Sequence, residues 1–581
     1  MIKKLSKSVR EYKWPAILTP LLVALEVVME VLIPTLMADL IDKGIELSDL
    51  NQIYTIGGKL IVLAILAFFF GIFSGFMASN ASSGFAKNLR LDIFKKIQSF
   101  SFANIDKFSS ASLITRLTTD VTHVQSAFQM IIRMAVRAPL MLIFSLIMAL
   151  RINSSFGLMF LVVIPVIGIG LGLIIRKVFP LMTKTFKTYD KLNSVANENI
   201  AGIRVVKSYV LEEEEKKKFR NTSNKIYEYF SKAEKLMSLN QPLLQSSIYA
   251  CIIFISWFGS KMIVESNQTL LTTGELTVLF TYTIQVLTSL MMLSMIFVML
   301  VIARTSANRI VEVLDEKPTI KEPKNGLKEV PNGDIEFNNV GFSYVGKLEK
   351  EVLKNINLKI KSGEVIGVIG STGSSKTSLV NLIPRLYDVT EGEVKVGGHN
   401  VKEYNLKSLR DNVAVVLQKN VLFTGTILEN IKWGDENASL EDVKDVCRYA
   451  QADKFVESFP DKYDTLISEG GTNVSGGQKQ RLTIARALLK KPKILILDDS
   501  TSAVDTKTDK LIRDALYEKI PNTTKIIIAQ RVASIENADI IIVLDGGKII
   551  NVGNHDELMI NSDIYKEIYE LQTKNGGKSN E

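Results

Sequence analysis

Three short stretches of this chain bring chemically useful side chains together. The first, GSTGSSKTS, covers Gly370, Ser371, Thr372, Gly373, Ser374, Ser375, Lys376, Thr377 and Ser378. Glycines let consecutive backbone N–H groups curl around phosphate oxygens, a lysine reaches the outer phosphates, and a hydroxyl next to it suits Mg²⁺. Lys376 and Thr377 fill the last two roles, with Gly370 and Gly373 in the loop. The pattern GxxxxGK[ST] asks for glycine where Ser375 stands, and an added Cβ crowds a backbone that must approach phosphate closely. The second stretch, ILILDDSTSAVD from Ile494, sets Asp498 and Asp499 side by side after four apolar residues. The third, NVSGGQKQRLTIARALL from Asn473, places Ser475, Gly476, Gly477 and Gln478 at a helix start, with Ser475 as a cap and N–H groups aimed outward.

These residues need a frame, and the surrounding periodicity predicts one. EVIGVIG, VAVVLQ, ILILDD and KIIIAQ read as strands apolar on both faces, separated by segments that allow helices, so a mainly parallel α/β sheet is expected. Ligands of such sheets gather at the carboxyl ends of the strands. The glycine-rich loop directly follows EVIGVI and precedes the helix-like run LVNLIPRLY, and the paired acids close ILILDD.

The first half of the chain is of another kind. Of the 581 residues 47% are hydrophobic and the mean hydropathy is +0.18, too apolar for an ordinary soluble protein of this size. Six apolar stretches, roughly Trp14–Ile41, Ile56–Met77, Ile131–Leu150, Phe156–Ile175, Leu243–Val264 and Leu276–Ile302, are long enough to cross a bilayer at ~20 residues per helix. Lys and Arg crowd the segment before the first span and the loops after the second and fourth. The other loops are short and nearly free of them, so both termini and both long loops are expected in the cytoplasm. The net charge of +9 is then a cytoplasmic excess of basic residues on a membrane protein, with no nucleic acid as partner. Each long loop, on the order of 45 to 65 residues, has few helix breakers, which predicts spans continuing as rods beyond the lipid. Domains are expected at 1–315 (membrane), 316–334 (a linker rich in Pro, Gly and charge), 335–572 (nucleotide binding) and 573–581 (a disordered tail). Cys251 and Cys447 are far apart in apolar or helical surroundings, a reducing-compartment pattern.

SGGQ alone is a common turn, but the run NVSGGQKQRLTIARALL followed shortly by ILILDDSTSAVD is identified with the ATP-binding cassette superfamily. The resemblance covers essentially the whole chain. It implies a membrane α-helical domain of six transmembrane helices with long cytoplasmic extensions, followed by an α/β P-loop nucleotide-binding domain. FANIDKFSSASLITRLTTDV (Phe102–Val121) and NENIAGIRVVKSYVLEEEEKKKF (Asn197–Phe219) resemble the loops that bear coupling helices in type IV exporters. The resemblance further implies ATP and Mg²⁺ as cofactors, and a paired half-transporter whose SGGQ completes each ATP site. By its motifs Tyr344 matches the aromatic that stacks on adenine. Gln418 matches the glutamine that touches Mg²⁺ or attacking water, and Asp498 the carboxylate that holds Mg²⁺ through water. Asp505 matches the residue that communicates across the dimer, and Glu469 the acid that meets coupling helices.

Two further positions depart from the family pattern. Asp499 stands where glutamate normally orients the attacking water, and is shorter by one methylene, ~1.5 Å. Gln530 stands where the switch histidine contacts the γ-phosphate. It can donate a hydrogen bond but cannot become cationic. Ser375, Asp499 and Gln530 all belong to the half-site around the chain's own nucleotide, whereas SGGQ, lent to the partner, is intact. This asymmetry resembles the degenerate-site subunit of bacterial heterodimeric multidrug exporters. A homodimeric exporter and an ATP-gated channel or regulator are the alternatives. The cargo is open among hydrophobic or amphipathic drugs, lipids and peptides, and the expected location is the cell inner (cytoplasmic) membrane. Glu26 and Glu30, one turn apart in the first span, either attract a cation, serve proton-linked gating or pair with Arg or backbone groups. Arg133 and Arg137 are expected to snorkel at the cytoplasmic end of span three.

Overall fold

Residues 1–345, 350–500 and 504–576 are described by the computed structural model. The chain divides into two units, Met1–Gln98 with Ser109–Glu316 and Ser99–Phe108 with Lys317–Glu581. In the first unit, six helical runs are long and apolar enough to cross a membrane: Ile2–Ile45, Leu50–Gln98, Ser110–Ile152, Ser154–Ala201, Glu212–Ser266 and Thr273–Asp315. They hold 43 to 55 residues each. At ~1.5 Å per residue that is roughly 65 to 80 Å, more than twice the ~30 Å of a hydrocarbon layer, so every span continues well outside it. Backbone hydrogen bonds inside a helix are what an apolar medium demands, and prolines such as Pro34 and Pro139 are accommodated within the runs.

Small residues bring the helices together. Ala78, Ala81, Ser82 and Gly84 of the second run are buried, while Phe68, Phe69, Phe73 and Phe76 face outward, as lipid requires. A Cβ on Gly84 would lie 2.3 Å from the ring of Tyr12, so a larger residue there must displace that ring. The two acids of the first run, Glu26 and Glu30, are paired. Arg137 does not snorkel; its Nη2 donates to both carboxylate oxygens of Glu30 at 2.7 and 2.8 Å, and its Nη1 donates to Glu26. Ser74 Oγ also donates to Glu26, at 3.2 Å. Two acids one turn apart make a stronger partner for a guanidinium than distant water does, so the arginine turns inward.

The second unit contains twelve strands among its described residues: β1 (Ile335–Phe342), β2 (Leu353–Ile360), β3 (Val365–Gly370), β4 (Glu391–Val396), β5 (His399–Asn400), β6 (Val413–Val416), β7 (Gly425–Thr426), β8 (Leu466–Ile467), β9 (Ile494–Asp498), β10 (Thr524–Ile528), β11 (Ile540–Asp545) and β12 (Lys548–Gly553). The central sheet runs β12-β11-β3-β10-β9-β6, parallel except for β12. A smaller antiparallel sheet runs β2-β1-β4-β5. In β3, β9, β10 and β11 alternate residues feed opposite cores. Ile366, Val368, Ile496, Ile526 and Ile542 enter one, and Val365, Ile369, Leu497, Ile527 and Val543 enter the other. Burial on both faces is why these strands read as unbroken apolar runs.

Lys317 onward belongs to this unit, because Ile320 and Val330 are buried and Leu327 bridges Tyr404. The helix expected through LVNLIPRLY is short, Lys376–Asn381. Pro384 lacks an N–H and Arg385 adopts φ +51°, so the chain turns instead. The last helix runs Asp563–Gly576, and residues 577–581 of the expected tail lie outside the described residues.

Candidate nucleotide site

Strand order assembles the site. β10 lies between β3 and β9, with Ile528 opposite Val368 on one side and Asp498 on the other. The glycine-rich loop leaves β3, the paired acids leave β9 and Gln530 leaves β10, so three segments far apart in sequence emerge at one sheet edge.

The loop is built for close approach. Gly370 has φ +158°, and a Cβ there would lie 1.9 Å from the carbonyl oxygen of Leu544. Gly373 has φ +86° with open space around it. Ser375 is also left-handed, at φ +71°, and its side chain makes no capping bond, so the serine costs backbone strain rather than crowding. Lys376 Nζ donates to Gly370 O and Ser371 O, both at 2.9 Å, and to Ser374 Oγ at 3.2 Å. Burial holds its pKa below the usual lysine range, with Asp498 and Asp499 opposing that shift. Ser371 Oγ donates to Asp545 Oδ1 at 2.9 Å, Thr372 and Thr377 are exposed, and Ser374 and Ser378 are buried.

Asp498 ends β9 almost fully buried and shares a hydrogen bond with Thr377. Burial pushes its carboxyl above the ordinary range, and the Thr377 bond works the other way. Asp499 leaves the strand at φ +47°, a conformation few non-glycine residues adopt. Its Oδ2 accepts from Gln530 Nε2 at 2.8 Å and from Gln418 Nε2 at 3.4 Å. Its carboxyl too is raised, by burial first, against the two amides. All three residues that the motifs single out for water and γ-phosphate thus meet at one carboxylate oxygen.

Tyr344, 46% exposed, stands on a platform of rings, perpendicular to Tyr387 at 5.1 Å and to Phe342 at 4.8 Å, with its hydroxyl 2.8 Å from Ser378 Oγ. Ser475 and Gln478 hold each other on a separate element. Gln478 N donates to Ser475 Oγ at 3.3 Å and Ser475 N to Gln478 Oε1 at 2.9 Å, a capping box that opens the helix Gly476–Leu489. The box aligns the first N–H groups of Gly476 and Gly477 with the helix dipole, and Gly476 is exposed. Asp505 caps the helix Thr506–Lys519 through Thr508 N at 2.9 Å.

Two model families match: the ABC transporter transmembrane region over residues 16–306 and the ABC transporter domain over residues 353–502. The chain is an ABC transporter. The protein YfiB of Bacillus subtilis, described as an uncharacterized ABC transporter ATP-binding protein, is 35% identical over 98% of each chain. A protein of the same description from Mycobacterium tuberculosis is 31% identical over 99% of this chain and 98% of its own. A solved structure of a bacterial Atm1-family ABC exporter with ATP bound superposes with TM-score 0.81 at 22% identity, covering 97% of this chain and 98% of the other. This ABC transporter therefore has the type IV exporter fold and is a multi-pass membrane protein with one membrane domain and one ATP-binding cassette.

The cassette's residues fit the groups that the family uses. Gly370 and Gly373 form a cradle that phosphate oxygens can enter, and Thr377 with buried Asp498 offers the oxygen donors that Mg²⁺ prefers. Sequence reasoning missed Tyr387, whose ring supports Tyr344 and whose hydroxyl donates to Asp106 Oδ2 at 2.8 Å. Burial and that carboxylate push the phenol well above its usual pKa. Asp106 sits on the short helix Phe102–Phe108, which Asn104 also ties to Lys317 O at 3.0 Å. An aromatic in RLYDV following the phosphate loop was the available signal. Only folding shows that it bridges the Tyr344 platform to the helix Phe102–Phe108.

Proposed function

We propose that this ABC transporter is one subunit of a heterodimeric ATP-driven exporter in the cytoplasmic membrane. Its own ATP site is hydrolytically weak, and its Ser475–Gln478 run completes the strong site of a homologous partner. The observation that carries this reading is the carboxylate of Asp499, tied to Gln530 at 2.8 Å. In that arrangement the shorter acid is engaged by a neutral amide rather than left free to take a proton from water. Gly370 to Ser378 cradle the phosphates of ATP, and Tyr344 supports the adenine. Lys376 offsets phosphate charge. Thr377, Asp498 and Gln418 would hold Mg²⁺, which when bound neutralises charge on the phosphates. Gln530 donates toward the γ-phosphate but supplies no positive charge.

The fold shared with an ATP-bound exporter supports outward movement of cargo. Cargo is hydrophobic or amphipathic, because the six long apolar runs offer such molecules the same medium as the bilayer. Both termini and the cassette lie in the cytoplasm. Steady-state ATPase of the purified chain, alone and with the product of a neighbouring homologous gene whose Mg²⁺ aspartate is followed by Glu, tests the assembly. Activity is expected only in the pair, and robust turnover by the chain alone overturns it in favour of a homodimer.

A further inference from the structure

Beyond Ala529, whose N–H still donates to Val368 O of β3 at 3.2 Å, the chain leaves β10 and makes no further strand pairing among the described residues, although this segment carries Gln530. Arg531 O and Val532 O accept from the turn that follows, at Ser534, Ile535 and Glu536, but the Gln530 carbonyl and the Val532 N–H are held by one side chain from the last helix, 42 residues away for Gln530. Gln572 Nε2 donates to the carbonyl oxygen of Gln530 at 2.8 Å, and Gln572 Oε1 accepts from the N–H of Val532 at 2.8 Å. A carboxamide has the donor and acceptor of a peptide group, so this one pairs with both main-chain groups flanking Arg531 as a neighbouring strand would. Glutamate lacks the donor, and asparagine is shorter by ~1.5 Å.

The clamp lies directly behind the working end of the site. The residue whose carbonyl Gln572 receives is the same residue whose side chain reaches Asp499 Oδ2 at 2.8 Å. The next residues are pinned from another side, where Arg513 Nη1 donates to Ala533 O at 2.7 Å. Gln530 itself has no such main-chain anchor apart from Gln572 among the described hydrogen bonds. Gln572 is exposed, so its two bonds form where water competes, and Gln530, itself exposed, can shift locally while Ala529 and Val532 stay packed in the core.

We propose that Gln572 is a positioning residue for the switch segment, through which the C-terminal helix sets how this half-site distinguishes ATP from ADP. The proposal rests on the reading that Gln530 faces the γ-phosphate. With the clamp in place the Gln530 amide is aimed and ATP gains a contact that ADP lacks. Without it, ATP loses that advantage and ADP does not.

The test uses the full-length chain in lipid nanodiscs, comparing wild type, Gln572→Ala, Gln572→Glu and the control Thr573→Ala, whose hydroxyl bonds within its own helix, to Tyr569 O. Hydrogen exchange of a peptide spanning residues 529–534 and competition binding of Mg-ATP and Mg-ADP are measured for each. Gln572→Ala is expected to speed exchange at Val532 about tenfold and to weaken ATP several-fold, with ADP within twofold. Gln572→Glu keeps an acceptor for Val532 but sets a carboxylate oxygen against the Gln530 carbonyl, and should likewise weaken ATP alone. If the alanine variant loses protection along the whole helix, the glutamate variant decides. Unchanged exchange in both variants, or an equal loss of ATP and ADP, overturns the proposal. Gln530→Ala separates the two readings. If it leaves the ATP to ADP ratio untouched, the γ-phosphate assignment has failed, and exchange at Val532 alone then judges the clamp.

Discussion

Asp499→Ala in the proposed heterodimer separates a working base from a retired one. In the structure Asp499 Oδ2 is 2.8 Å from Gln530 Nε2 and 3.4 Å from Gln418 Nε2, so its acceptor capacity is shared between two amides. A glutamate would carry its oxygens ~1.5 Å farther, whereas the window for proton transfer, about 2.6 to 3.2 Å, is only ~0.6 Å wide. On the proposed reading, a residue short by more than twice that width does not reach the water that a glutamate would. Removing it therefore costs two local hydrogen bonds of about 1 kcal/mol each and no base catalysis. Steady-state ATPase of the reconstituted pair should fall by no more than about threefold. Loss of a functioning general base costs about 10²- to 10⁴-fold, so the two expectations do not overlap. A hundredfold fall in Asp499→Ala would refute the argument and make this half-site a hydrolytic one.

The opposite result is expected for Ser475 to Gln478, which the proposal lends to the partner. Ser475→Ala loses the cap on Gln478 N, and a bulky replacement of Gly477 blocks the helix start. Either should cut ATPase of the pair by about 10²-fold or more, the scale on which preorganised transition-state donors act. Ser375→Gly removes a left-handed serine at φ +71° that caps nothing, and should tighten ATP binding about fivefold, measured by nucleotide competition, without raising turnover. Arg137→Ala leaves Glu26 and Glu30 unpaired and should lower stability by about 3 to 5 kcal/mol. Thermal unfolding should show much of the loss recovered when both glutamates are also changed to glutamine, and no loss in the single variant would show the ion pair to be idle.

Much of this molecule is legible in its sequence, because the governing interactions are local. A span is apolar along its whole length since lipid surrounds it, and a strand buried on both faces, such as Ile494–Asp498, is apolar at every position. The phosphate loop and the Ser475–Gln478 capping box are each closed within a few residues, so residue type at fixed spacing is enough to specify them. What Ser375 costs was only half legible: its Cβ is visible in the sequence, but its φ is set by the loop around it.

Tertiary structure decided the rest, where partners lie far apart in the chain. Sequence left the acids of the first span open between cargo, protons and pairing, and only helix packing brings Arg137 to within 2.7 Å of Glu30, 107 residues away. Tyr387 meets Asp106 across 281 residues, and Gln572 reaches the Gln530 backbone across 42. A single glutamine late in a helix carries no signature, since its function depends on the backbone groups that face it and not on its neighbours in the chain. Insertion of β10 between β3 and β9 is likewise a property of the whole sheet. That insertion alone places Gln530 against the short carboxylate of Asp499, because parallel strands with a common direction deliver their ends to one edge.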